Sequence, residues 1–420
     1  MYDQSIGKSI LDRFLYNSDF DKDKNYNEQK VELINLALTY LQQKKSPSVR
    51  ITQFKGKNLY KINELPIEIL QRRVSHTLKT ILNAKVEDRN KIIRKLKLLL
   101  EDDAPFIVYR LDIENFYESV DIKPFLEDIK NNPIFTNETV MLVNKMFDFE
   151  EYNGGLPRGF ALSSVISEIL LNSFDKSIKN LKETFFYSRF VDDIFIITAK
   201  PNDSSADNFI ERIKQKLPTP LVFNKNKEEK HVFKNVKDDF QSIKKINYLG
   251  YSLKVSTLKK KGPRMVQIDI SHKKINKIKS RINYSLLDFF NYIEKNGEGS
   301  HIIALLILKE RIKFLTGNFS FVDYKKGQRR NSGIYFNYHL IDFKESESLK
   351  ELDKYLIRTF SGKTSNISKK LNELVKDSNT IRSEIEKIKS YSFVNGFKKR
   401  TFHHFNSYRL TVIQKCWKYV

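Results

Sequence analysis

Tyr187-Ser188-Arg189-Phe190-Val191-Asp192-Asp193-Ile194-Phe195-Ile196-Ile197 decides the reading of this chain. Apolar β-formers flank two adjacent acids, which predicts a strand, a tight turn carrying the acids and a second strand. Two carboxylates at such a tip repel one another unless a cation neutralises them. Hard oxygen ligands of this kind suit Mg²⁺. An Asp-Asp pair is usually solvated surface, so its meaning depends on what surrounds it.

A third acid stands upstream. Phe106-Ile107-Val108-Tyr109-Arg110-Leu111-Asp112-Ile113 puts Asp112 at the exit of a buried β-run. Between the two acid sites lies Gly154-Gly155-Leu156-Pro157-Arg158-Gly159, followed by an amphipathic helix that begins near Ala161. The order of acid after strand, glycine loop before helix, and Asp-Asp hairpin resembles the palm of reverse transcriptases. Asp112 falls on their first catalytic motif, Leu156 to Gly159 on the Leu-Pro-Gln-Gly loop, and Phe190 to Asp193 on the Tyr-x-Asp-Asp box. The fold this implies is α+β, a right-hand polymerase. Fingers and N-terminal helices span 1–105, a palm with an antiparallel sheet spans 106–255, and a basic helical thumb and C-terminal region spans 256–420.

The chemistry explains the residue types. Nucleotidyl transfer asks a protein mainly for positioning and charge neutralisation, and two metal ions can clamp the attacking and leaving oxygens. The resemblance implies Asp112, Asp192 and Asp193 as catalytic acids. With the backbone of Ile113 they would hold two Mg²⁺ ions, or Mn²⁺. It implies Tyr117 as a steric gate that favours deoxynucleotides, with Phe116 beside it; one of the two adjacent aromatics is expected in the core. Arg158 replaces the family's commoner Gln and still offers a planar fork for phosphate or base edges. Lys61, where Arg is often found, and Lys230, in Asn226-Lys227-Glu228-Glu229-Lys230, complete the expected nucleotide contacts, Lys230 as a general acid on pyrophosphate. Arg72, Arg73, Gly159, Gly250, Tyr251, Arg329 and Arg330 are the expected nucleic-acid contacts. Ile246-Asn247-Tyr248-Leu249-Gly250-Tyr251-Ser252-Leu253 reads as a primer-gripping hairpin, or else a plain edge strand.

Composition fits a polyanionic partner. The net charge is +24 and the hydrophobic content 40%. Residues 251–420 hold 35 basic and 15 acidic side chains, so most of the excess lies there. Cys416 is the sole cysteine, which excludes a disulfide framework and a cysteine-rich zinc site. No stretch predicts a signal sequence or a membrane span, and a cytoplasmic location is expected. Two glycine turns with Arg329 and Arg330, near Leu315-Thr316-Gly317 and Gly327 to Tyr338, read either as an RNA contact or as a loop closing the thumb core.

Beyond 255 the resemblance thins. A cysteine/histidine nuclease segment, an acid-rich ribonuclease-H-like tail and the retron Asn-Ala-x-x-His motif are all missing. A free-standing enzyme with a basic, helical C-terminal region resembles the bacterial defence-associated and abortive-infection reverse transcriptases, including the small polymerase of the two-polymerase type-three system. That resemblance implies antiphage defence, a non-coding RNA template, dNTPs, a DNA product, a possible second polymerase subunit and homo-oligomerisation, with no membrane partner. Alternatives are a retron-like enzyme, a catalytically silent RNA-binding module and, less in keeping with Tyr117, an RNA-dependent RNA polymerase.

Overall fold

The computed structural model describes residues 2–21, 23–43, 45–199, 208–234, 243–256, 263–323, 327–362 and 365–418. The chain divides into two compact units. One contains Met1–Ile92, Ala104–Asp239 and Tyr324–Lys326; the other contains Ile93–Asp103, Phe240–Asp323 and Gly327–Val420.

In the first unit, β1 (Val49–Phe54) and β2 (Lys57–Ile62) form an antiparallel hairpin around Lys55-Gly56. Both turn residues have positive φ, as a tight two-residue hairpin requires. The helix Leu65–Ile81 follows, its proline in the first turn, where a missing N–H costs nothing. The central sheet contains β3 (Phe106–Asp112), β4 (Thr184–Phe190), β5 (Asp193–Ala199) and β6 (Glu229–Phe233), in the order β4-β5-β3-β6. All three pairings are antiparallel.

Strand alternation sorts the two faces of this sheet. Ile107, Tyr109, Leu111, Ile194 and Ile196 enter one apolar core with Leu162, Ile166, Phe174, Ile178, Phe209 and Ile213. Those partners come from the helices Ala161–Leu170, Asn172–Lys179 and Phe209–Lys214. Arg110, Asp112 and Asp193 therefore share the opposite face. Between the first acid and the glycine loop lie the helices Lys123–Asn131 and Asn137–Lys145.

The second unit contains β7 (Ile243–Tyr248), β8 (Tyr251–Ser256) and β9 (Met265–Ile270) as an antiparallel meander. The long helices His272–Asn296 and His301–Thr316 follow. A small sheet then joins β10 (Asn318–Asp323), β11 (Gln328–Gly333) and β12 (Phe402–His403), with β12 parallel to β10. Asn318 is fully buried and stitches this region together. Its amide donates to the carbonyls of Gly396 and Thr401, and its side-chain oxygen accepts from the Tyr335 amide. Gly333 has φ +121°, and a Cβ there would lie 2.4 Å from the Gly317 carbonyl oxygen. The two glycine turns thus close the core of this unit, while Arg329 and Arg330 remain exposed on β11.

Candidate active site

The acids are brought together by strand register. Asp112 on β3 is the direct cross-strand partner of Asp193 on β5. Phe190 pairs with Asp193, which leaves Val191-Asp192 as a two-residue turn. Val191 has φ +62°, an unfavourable conformation for a β-branched residue. The surroundings hold it there. The Asp192 carbonyl accepts a hydrogen bond from the Ile113 amide at 3.1 Å, and the Val191 carbonyl accepts one from the Arg189 guanidinium at 2.9 Å.

Arg189 ties that turn to two helices. Its side chain is only 3% exposed. It makes a two-pronged contact with Glu168 at 2.9 and 3.2 Å and another with Asp175 at 2.9 Å on both prongs. Burial pulls the guanidinium pKa down, but hydrogen bonding and charge from Asp175, with the Glu168 charge, outweigh it, so Arg189 stays protonated. Burial raises the Glu168 carboxyl in spite of Arg189.

The acids themselves sit in a strained electrostatic environment. Burial, then the charges of Asp112 and Asp193, raises Asp192 above the ordinary 3.8. Burial also raises Asp193, against the pull of Arg110. Among the described residues, Arg110 and Lys227 reach the cluster. Arg110 lies 3.3 Å from Asp193 and 2.7 Å from Glu229. Lys227 Nζ lies 2.7 Å from Asp112 Oδ1. The backbone explains that reach: the Asn224 amide donates to the Asp112 carbonyl, the Glu114 amide to the Val222 carbonyl, and Ile113 bridges to Phe223.

Lys227 corrects an expectation placed on Lys230. On β6, Lys230 pairs with Tyr109 and so points to the face opposite Asp112. Asn224-Lys225-Asn226-Lys227 sets a lysine three residues after an asparagine, whereas Asn226 and Lys230 lie four apart.

Phe116 is also corrected. It is buried in the core, whereas Tyr117, half-buried, faces the site. Burial raises the Tyr117 phenol, which is hydrogen-bonded to Ser167. The Arg158 guanidinium lies 4.6 Å from the centre of the Tyr117 ring. The glycine loop is seated on the Tyr117 backbone, with the Leu156 amide donating to the Tyr117 carbonyl at 2.6 Å. Gly159 has φ +107°, and a Cβ there would meet the Tyr60 carbonyl oxygen at 2.4 Å. Its lack of a side chain lets the loop pair with β2, where the Tyr60 amide donates to the Arg158 carbonyl at 2.8 Å.

Three further expected contacts are structural instead. Arg72 stacks 3.9 Å from the Tyr16 ring centre and is ion-paired to Asp19 and Glu68. Arg73 is buried and donates to the Ser5 and Asp3 carbonyls and to the Tyr2 hydroxyl. Both pin the N-terminal segment to the helix Leu65–Ile81. Tyr251 is fully buried, its hydroxyl donating to the Asn337 carbonyl. Gly250 does occupy the hairpin turn, with φ +83° after Leu249 at +46°. Lys61 is exposed on β2, opposite Arg50.

Residues 43–253, half of the chain, match the family described as Reverse transcriptase (RNA-dependent DNA polymerase). The chain belongs to the reverse transcriptase family. Its fold is accordingly the right-hand polymerase fold expected from sequence. The enzyme is an RNA-directed DNA polymerase, a nucleotidyltransferase whose family takes an RNA template and dNTPs to a DNA product. No curated protein matches the chain. Among the described residues, no helix of this reverse transcriptase is long and apolar enough to cross a membrane.

The donor set suits divalent cations chemically. Three carboxylates meet at one strand end, and burial with mutual repulsion raises two of them, so the cluster gains from added positive charge. Among the described residues, no three acidic, histidine or cysteine side chains converge as a finished metal cage. The present rotamers turn Asp112 to Lys227 and Asp193 to Arg110.

Proposed function

We propose that Asp112, Asp192 and Asp193, with the backbone of Ile113, hold two Mg²⁺ ions, or Mn²⁺, for nucleotidyl transfer from dNTPs. The observation that carries this reading is the cross-strand pairing of Asp112 with Asp193, with Asp192 in the adjoining turn. Bound there, divalent ions would acidify the primer hydroxyl and neutralise the triphosphate. The protein groups divide the remaining work. Tyr117 crowds the 2′ position of the sugar. Lys227, beside Asp112, supplies a proton to the departing pyrophosphate. Arg110 and Arg189 hold the acids and their turn in place. The test is incorporation of labelled dNTPs on a primed RNA template with Mg²⁺. Loss of incorporation in Asp192→Ala/Asp193→Ala, with fold and RNA binding retained, supports the assignment, and retained synthesis overturns it.

The biological setting we propose is antiphage defence in the cytoplasm, with a non-coding RNA as template. A second polymerase subunit and self-association are possible partners. Support comes from the strongly basic region beyond 250. Purifying the protein and sequencing the nucleic acid that accompanies it tests this setting. A discrete small RNA, together with phage protection that the aspartate variant loses, is the expected result. A covalent or paired DNA–RNA hybrid would point to a retron-like enzyme instead.

A further inference from the structure

Glu118 has no part in the chemistry above, yet both of its carboxylate oxygens are engaged beside the gate. Arg158 Nε lies 2.6 Å from one and its terminal nitrogen 3.0 Å from the other, a two-pronged contact. The same guanidinium lies over the Tyr117 ring. Lys57 steadies the carboxylate from the other side, 3.5 Å from Glu118 and 3.1 Å from the Asn115 side chain. Gly155 keeps the loop against the short helix Phe116–Ser119, since a Cβ there would lie 2.6 Å from the Tyr117 carbonyl oxygen. A polar cleft of about 600 Å³ opens here, lined by Lys57, Asn58, Asn115, Glu118 and Arg158.

A neutral side chain at 158 would be free to rotate away from the ring. A planar guanidinium gripped on two nitrogens is not. It covers one face of Tyr117 with a charged plane that favours staying there. A steric gate discriminates only as far as its ring refuses to yield.

We infer that Glu118 is a positioning residue for sugar selection: it locks Arg158 over Tyr117, so that the three side chains act as one gate against ribonucleoside triphosphates. This inference rests on the reading of Tyr117 as the gate. It assigns a role to the arginine that replaces the commoner glutamine, and to an acid that sequence reading left without a role. The plain alternative is a surface ion pair, as the partial exposure of both side chains allows. Such a pair would leave nucleotide choice untouched.

The experiment is single-nucleotide insertion on a primed RNA template. It measures kcat and KM for a dNTP and its matching rNTP with the wild type, Glu118→Gln, Arg158→Met, the double variant and Tyr117→Val. Each single change at the pair is expected to lower the dNTP-to-rNTP preference about tenfold, below the roughly hundredfold that a full ångström of misplacement costs. The change should come through better use of rNTP. The double variant should match the single ones, because all break one contact. If Tyr117→Val relaxes selection while neither pair variant does, the inference is overturned and the gate stands. Effects that multiply in the double variant overturn it too. If Tyr117→Val leaves selection unchanged, the gate reading fails and takes the inference with it. Thermal unfolding checks each fold, and Arg158→Met tests the same contact should Glu118→Gln not fold.

Discussion

Asp112 and Asp193 face each other across two antiparallel strands, from positions 81 residues apart in the chain. Neither strand is exceptional by itself. The pairing places two carboxylates on one face at one strand end, and the turn beside them adds Asp192.

That crowding has a measurable cost. A carboxyl whose pKa is raised on folding binds its proton more tightly in the folded state. It therefore destabilises the fold at every pH above the raised value, and the penalty vanishes as pH falls below the unfolded value. Asp192 is raised by burial and by its acidic neighbours. Asp192→Asn should raise the metal-free unfolding temperature at neutral pH, with the gain fading toward pH 3.8, while dNTP incorporation is lost. A melting series across pH checks the sign.

Lys227 and Lys230 separate cleanly. Lys227→Ala removes the cation beside Asp112 and the proposed proton donor, and should lower the incorporation rate by about 10²-fold, the low end of general acid catalysis. Lys230→Ala, on the far face of the sheet, should stay within about twofold on the same scale. Single-turnover rates across pH would show it.

Arg189→Met tests the support of the catalytic turn. Glu168 and Asp175 would be left buried without their partner, and breaking such a network costs about 3–5 kcal/mol. Urea unfolding should show a lower midpoint. Incorporation should fall even where the protein is still folded, because Val191 would lose the contact that holds its left-handed backbone.

Arginines of one sequence appearance should part company. Arg73→Ala removes the bonds that pin the N-terminal segment, and should lower thermal stability without changing the salt dependence of RNA binding. Arg329→Ala with Arg330→Ala, on exposed β11, should leave stability nearly unchanged. If these two contact phosphates, the slope of log affinity against log salt should drop by about 1.5.

The sequence alone disclosed the hairpin that carries Asp192-Asp193, the buried strand that ends at Asp112, and the glycine loop with the helix that follows it. Each depends on local rules: alternation of apolar residues, left-handed turns and helix starts. The first misreading was one of register. Lys227 and Lys230 lie three residues apart in one charged stretch, and only the bonds from residues 222–224 to the end of β3 decide which of them reaches Asp112. The second was one of environment. Arg72, Arg73 and Arg158 look equally able to meet a phosphate, since a charge on a helix or loop carries no local mark of its partner.

Sequence by itself thus determined the chemistry available: three acids in a fixed order, an aromatic five residues after the first, and a basic half to hold a polyanion. Tertiary structure decided which groups meet. Strand pairing chose Lys227 over Lys230, burial took Phe116, Arg73 and Tyr251 out of contention, and the seating of the glycine loop set Arg158 on Tyr117 and Glu118. Local propensity acts over a few residues, whereas these partnerships join positions dozens of residues apart, and only the packed chain brings them within hydrogen-bonding distance.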